Sequence, residues 1–222
     1  MKKDSFMVGV DYRKILENEL KGGLKRIIYF KNEIITREAF KDDYIYFLDT
    51  GKVILIKKDI EEREYSVGYV LPGELFALSS YLGMEEIATY KALTSCVVLA
   101  VDALYLKKRL QFSSELRDLI SFLVIKSFRN LNIRQANLML KDSKQIFINF
   151  LIEHINIFGR EEDGKITIDL DINIGEISKL LNMSRETVSR MLSDLKGKGI
   201  IEGNRKQIII KEYGRLLEIK TS

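Results

Sequence analysis

The stretch Ser184-Arg185-Glu186-Thr187-Val188-Ser189-Arg190 gathers hydroxyls, a carboxylate and two guanidinium groups on one short length of chain. An arginine offers paired N–H donors that match the two acceptors on the edge of guanine, and a glutamate accepts from the amino group of cytosine. Arg185, Glu186, Ser189 and Arg190 are therefore the residues expected to meet base edges. Hydroxyls and a free helix N-terminus suit phosphate oxygens, which assigns Ser184 and Thr187 to that task, together with Asn173 further up the chain. At ~100° per residue, Val188, Met191, Leu192 and Leu195 lie on one side of the helix. Glu186, Ser189 and Arg190 point away from that side, and Arg185 sits at the border in the first turn.

These side chains need elements to position them. Asn173 followed by Glu176 has the spacing of a capping box, which starts a preceding helix with Ile177, Leu180 and Leu181 on its buried side. A break at Asn182-Met183 leads to Ser184 as the cap of the second helix. Beyond it, Ile200-Ile201-Glu202, the turn at Gly203-Asn204 and Gln207-Ile208-Ile209-Ile210 read as a β-hairpin. Its tip carries Arg205 and Lys206, placed to reach phosphates. The pattern is a winged helix-turn-helix, whose second helix enters the major groove and presents its early residues to the bases.

Charge agrees with that assignment. Between Ser184 and Lys211 the cations are Arg185, Arg190, Lys196, Lys198, Arg205, Lys206 and Lys211, against Glu186, Asp194 and Glu202. The excess there equals the net +4 of the whole chain. A solvated helix face can also be basic, but capped helix, short turn, two-faced second helix and basic hairpin together favour an anionic duplex.

Other chemistries are poorly supplied. The single Cys96 rules out an internal disulfide and an iron–sulfur cluster held by cysteines, and it sits in an apolar strand expected to be buried and inert. The single His154 lies in the helical segment IFINFLIEHINIF and reads as structural, so metal and nucleophilic enzymology are not expected and the chain is not read as an enzyme. No apolar run approaches the ~18–20 residues of a membrane span, and the basic start lacks the apolar stretch of a signal peptide. The expected compartment is the cytoplasm, with no membrane partner.

A chain of 222 residues suits two domains. Asp11 to Leu20 has helical spacing. From Ile27 to Asp102 short strands follow one another, including Tyr44–Leu48, Val53–Ile56 and Tyr65–Val70, separated by Asp49-Thr50-Gly51, a charged Lys57–Glu64 tip and Pro72-Gly73; a short helix is expected within Phe76–Tyr81. This is the pattern of an antiparallel sandwich or roll. Ser113-Ser114-Glu115 then starts a long helix running to about Leu140. It carries Leu116, Leu119, Leu123, Val124 and Leu131 at helical spacing, with Leu138 further on, and its apolar surface suits homodimerisation. Asp142 or Ser143 caps a helix to about Phe158, followed by a Gly159–Gly164 turn and a strand at Ile166–Ile168. The fold class is α+β: an N-terminal antiparallel β-roll (1–112), a long dimerisation helix (113–140) and a C-terminal winged helix-turn-helix (141–222).

On these residues the chain resembles the cyclic-AMP receptor protein and fumarate–nitrate regulator (CRP/FNR) superfamily. Glu186-x-x-Ser189-Arg190 is the pattern typical of the fumarate–nitrate branch, whereas Arg185 matches the receptor-protein branch. Gly51-Lys52-Val53 and Gly73-Glu74-Leu75 fit the family's cyclic-nucleotide-binding-like jelly roll, so the resemblance spans nearly the whole chain. It implies a homodimer on an inverted repeat with half-sites like TGTGA or TTGA. It also implies an effector pocket near Gly73, Glu74 and Leu75, and contact with RNA polymerase through the Gly159–Gly164 turn or the Lys57–Glu64 tip. Departures narrow this. Members that bind cyclic nucleotides carry an Arg-Ser or Arg-Thr pair about ten residues past Gly-Glu-Leu, where this chain has Gly83-Met84-Glu85-Glu86-Ile87-Ala88. Two glutamates there would repel a phosphate, so cyclic AMP is not expected to bind in the family's usual way, and Glu74 reads as a turn residue. The oxygen-sensing branch needs four cysteines, and haem ligation by His154 would be atypical, so no cofactor is identified; an unknown small-molecule effector remains compatible. The alternative from another class is a small-molecule-binding module whose helical domain mediates protein interaction, which salt dependence of DNA binding would separate.

Overall fold

The computed structural model describes residues 12–58, 60–62, 64–139, 142–162, 165–169, 172–204 and 207–221, without the side chains of 137–139, 162, 220 and 221. The chain divides into two compact units. One holds the described residues up to Val53 together with Val70–Phe128; the other holds Ile54–Tyr69 and the residues from Arg129 onward.

In the first unit, α1 (Tyr12–Glu19) buries Leu16, and Leu20 beyond it is buried too. The strands are β1 (Leu24–Tyr29), β2 (Ile34–Thr36), β3 (Tyr44–Thr50), β4 (Val53–Lys58), β5 (Glu64–Val70), β6 (Leu75–Phe76), β7 (Thr89–Ala92) and β8 (Cys96–Asp102), with α2 (Ser79–Leu82) before β7. One sheet has the order β1-β8-β3-β6, every pair antiparallel, with Leu24 opposite Val101 and Phe47 opposite Leu99. β2 pairs antiparallel with β7, and β4 and β5 are neighbours in an arm that, apart from Val53 and Val70 at its ends, belongs to the second unit. Burial alternates along β7, as expected where one face of a sheet is covered.

Asp102 ends β8 and caps α3 (Ala103–Phe112), its Oδ1 accepting from Tyr105 N–H at 2.8 Å. Sequence periodicity left this helix unassigned. Ser113 Oγ then accepts from Leu116 N–H at 3.1 Å and opens α4 (Ser114–Met139), one continuous helix of 26 residues. Leu116, Leu119 and Leu123, assigned above to the dimer contact, lie instead on the side of α4 that its own roll covers. They are fully buried in the roll's own core with Leu20, Ile45, Phe47, Leu99 and Leu106. A helix apolar on several sides shows its period in the sequence but not which side its own domain covers. Val124, Ile125, Phe128 and Leu131 remain exposed.

The second unit is built on α5 (Ser143–Phe158), capped by Asp142 Oδ1 accepting from Lys144 N–H at 2.8 Å. His154 is completely buried there, its Nδ1–H donating to Phe150 O at 2.9 Å and its ring beside those of Phe150 and Phe158. β9 (Arg160–Glu162), β10 (Lys165–Asp169), α6 (Ile174–Leu181), α7 (Arg185–Gly197), β11 (Ile201–Gly203), β12 (Gln207–Ile210) and α8 (Tyr213–Thr221) follow. The sheet order is β11-β12-β10-β9, and α8 packs on α5 with Leu216 fully buried. No helix among the described residues is long and apolar enough to cross a membrane.

Candidate nucleic-acid interface

The local sequence explains how the interface is held. Asn173 Oδ1 accepts from Glu176 N–H at 3.0 Å while Glu176 Oε2 accepts from Asn173 N–H at 2.7 Å, closing the capping box at the start of α6. α6 buries Ile177, Leu180 and Leu181 and ends at Asn182 in the left-handed region, φ 51°. Asparagine tolerates that conformation better than most residues, so the chain turns sharply into Ser184. Ser184 Oγ accepts from Thr187 N–H at 3.0 Å and lies 2.9 Å from Thr187 Oγ1. Only one of the two hydroxyl protons is used between them, which leaves the other to donate outward. Val188 and Leu195 anchor α7 in the domain, with Met191 and Leu192 half-buried beside them.

Arg185, Glu186, Ser189 and Arg190 are all exposed. With Asn173, Ile174, Gly175 and Ser193 they line an open groove of about 790 Å³. Ile174, Gly175 and Ser193 were not singled out from sequence. Gly175 matters by its size: a Cβ there would stand 3.0 Å from Arg185 Nε and Nη2. Its absence lets the Arg185 guanidinium lie against the first turn of α6. The only available sequence signal was a glycine inside the capping box.

The cations of the basic stretch have different duties. Lys196 Nζ donates to Gly203 O at 2.8 Å, steadying the hairpin turn. Lys198 pairs with Asp194 at 2.8 Å and Lys211 with Glu202 at 2.6 Å, and hydrogen bonds from those lysines hold both carboxyls below the ordinary carboxylate range. Arg185 and Arg190 form no ion pair among the described residues. Arg205 and Lys206 lie outside the described residues. The strands that lead to them are set by Gly203, whose φ of 108° and close approach to Gln207 O exclude a side chain.

In the roll, Glu74 is buried, and its Oε2 accepts from Leu71 N–H at 3.0 Å. Gly73 N–H donates to Leu48 O, and Leu75 N–H to Ser127 Oγ at 3.2 Å. The two glutamates of the Gly83–Ala88 stretch differ: Glu85 is exposed, whereas Glu86 is 2% exposed. Burial pushes the Glu86 carboxyl up from its ordinary range, the serines of α2 opposing the rise and Asp42 adding to it. Cys96 is buried, its Sγ–H near Lys52 O and Thr94 O, and burial raises the thiol as well. Among the described residues no group of three or more His, Cys, Asp or Glu side chains is placed to hold a metal.

Comparison with known proteins matches residues 147–219 to the Crp-like helix-turn-helix domain and residues 26–111 to the cyclic nucleotide-binding domain. A CRP-like cAMP-activated global transcriptional regulator of Mycobacterium tuberculosis is 23% identical over 194 residues, covering 87% of each chain. The transcriptional activator FnrL of Cereibacter sphaeroides is 43% identical over 61 residues, 27% of this chain and 24% of that one. Among solved structures, FixK2 of Bradyrhizobium japonicum superposes with a TM-score of 0.76 at 26% identity, covering 90% of this chain and 98% of that one. A CooA mutant of Carboxydothermus hydrogenoformans has the same fold, with a TM-score of 0.73 at 20% identity, covering 99% and 97%.

Proposed function

The chain belongs to the CRP/FNR family of transcription regulators, and we propose that it binds an inverted-repeat operator as a homodimer without cyclic AMP. That it is a CRP-like regulator with a helix-turn-helix DNA-binding domain follows from the family itself. The reading mode rests on one observation: Arg185 and Arg190 stand exposed, without an ion pair among the described residues, on the groove-lining face of α7 beside Glu186 and Ser189. Two uncommitted guanidinium groups with one carboxylate between them suit G·C pairs in the major groove. The Ser184–Thr187 hydroxyl pair, Asn173 and the hairpin tip with Arg205 and Lys206 serve the phosphates. Half-sites of TGTGA or TTGA type fit this set of donors and acceptors.

The exposed Val124, Ile125, Phe128 and Leu131 supply the dimer contact, a stripe at the spacing of a two-helix seam. Each copy then presents one α7, and two copies read half-sites one helical turn, ~10 bp, apart. The reading without cyclic AMP is supported by the Gly83–Ala88 stretch, which offers no arginine to the phosphate in the family's usual pose and carries a buried carboxyl. Any effector is a different small molecule. The work is recognition rather than catalysis, in the compartment that holds the DNA, and RNA polymerase is the partner the family suggests.

Selection from a pool of random duplexes tests this reading. The expected product is a two-fold symmetric site with G·C pairs under Arg185 and Arg190. Recovery of no symmetric motif, or of sites indifferent to Arg190→Ala, would contradict it.

A further inference from the structure

Three elements of the second unit meet at Arg134. Its Nε and Nη2 donate to Glu153 Oε1 of α5 at 2.9 and 2.8 Å, and its Nη1 donates to Tyr69 O of β5 at 3.0 Å. The guanidinium carbon lies 4.4 Å from the centre of the Tyr69 ring, and Tyr69 O–H donates to the other Glu153 oxygen at 2.5 Å. Arg134 is only 9% exposed, although it sits in the last turns of α4. A second tie runs from the same arm to the helix-turn-helix, where Asn182 Nδ2–H donates to Ser66 O at 3.1 Å. Asn182 is the residue that turns the chain from α6 toward the cap of α7.

Apolar packing does not define this seam by itself. A cavity of about 210 Å³ opens beside Arg134 and Glu153, reaching Leu180 and Asn182. Another of about 220 Å³ lies on the arm between Tyr65 and Lys179. Both clefts are partly open to solvent, so apolar contact between α5, the arm and the α6–α7 turn is incomplete and directional contacts contribute to their placement. A planar guanidinium held by a carboxylate, a carbonyl and an aromatic face is well suited to fix an angle.

We propose that Arg134, Glu153 and Tyr69 form a latch that sets the direction in which α7 is presented relative to the last turns of α4, from Arg129 onward. Arg134 is a positioning residue: it touches no DNA and acts through α5 and the arm. This rests on the reading of α4 as the dimer helix. A dimer gains from its second half-site only if both recognition helices are held at the required separation, because a loosely tethered head lowers the effective concentration of the second contact. The latch therefore governs tolerance to half-site spacing and leaves base preference within a half-site alone.

The test compares full-length wild type, Arg134→Ala, Glu153→Gln, Tyr69→Phe and the charge swap Arg134→Glu with Glu153→Arg. Duplexes carry one half-site, two at the preferred spacing, or two with the spacer changed by ~2 bp from the ~10 bp repeat. Wild type should prefer the correct spacing; Arg134→Ala and Glu153→Gln should lose about tenfold of that preference with single-half-site affinity unchanged. Tyr69→Phe, which removes one hydroxyl and keeps the ring, should lose less, and the swap should recover part of the loss. Full spacing preference in Glu153→Gln and Tyr69→Phe would overturn the latch. So would loss of half-site affinity in step with thermal melting, the mark of general support to the fold. A wild type indifferent to the second half-site would overturn the dimeric reading as well, and that failure shows in the unmutated protein.

Discussion

The interior of the roll and the outer face of α7 handle polar groups in opposite ways. In the roll, Glu74 turns its carboxylate onto the N–H of Leu71, Asp42 accepts from the Tyr46 hydroxyl, and Glu86 is almost wholly buried. Around α7 the structural needs are met by Asn173, Glu176, Ser184 and Lys196, while Arg185 and Arg190 form no ion pair among the described residues and line an open groove. A buried polar group is costly unless it is bonded, whereas an exposed cation keeps its water until a partner replaces it. The difference separates residues that hold the fold from residues available to a ligand.

The largest effect should come from damaging the buried side. Leu119→Ala removes a fully buried side chain from the roll core and should cost about 2–5 kcal/mol in urea-induced unfolding. Its remaining folded fraction should keep wild-type base preference. Arg190→Ala should do the reverse, leaving the unfolding midpoint unchanged and losing about 1–3 kcal/mol of discrimination at one operator position. If Arg190→Ala also destabilised the fold, the contrast between the two regions would break.

Glu86 sharpens the contrast through pH. Burial, with Asp42 adding, raises its folded pKa above the ordinary 4.5. A carboxyl raised on folding contributes stability that is complete below the unfolded value and lost as pH rises through the folded one. Stability from this group should therefore decline as pH climbs above about 4.5 and passes through the raised folded pKa. Glu86→Gln should flatten that slope and melt higher than wild type at about pH 8, by a few degrees, on the order of 1 kcal/mol for one buried polar group. Operator affinity should follow wild type.

The smallest effect expected is at the boundary between the two roles. Ser184→Ala removes a cap and, on the proposed reading, a phosphate donor together. It should cost about 1 kcal/mol of stability and weaken all duplexes alike by a similar factor, seen as parallel shifts in binding curves for matched and mismatched operators.

How much of this could be read from sequence depended on whether an element announces itself locally. The α6–α7 motif did, because its caps, turn and two-faced helix lie within one short stretch and each has a residue-type signature. The strands of the roll were legible through their turn residues. α3 was missed because ALYLKKRLQF follows a strand directly and its cap, Asp102, also closes that strand. The two sides of α4 were confused because Leu119 and Phe128 are equally apolar, and only the folded roll decides that one is core and the other exposed. Arg134 had no local signal at all: it stands in the polar run RNLNIRQANL, and its partners Glu153 and Tyr69 lie 19 and 65 positions away.

The most direct test of the central claim is a fluorescence-anisotropy titration of ligand-free protein with a TTGA/TGTGA-type inverted-repeat duplex and a scrambled duplex, at the same moderate salt. Arg190→Ala is run in parallel. The account predicts tighter binding to the inverted repeat, a steep fall with added salt from phosphate contacts, and loss of the preference in Arg190→Ala. Equal affinity for both duplexes at every salt concentration, unchanged by Arg190→Ala, would contradict it.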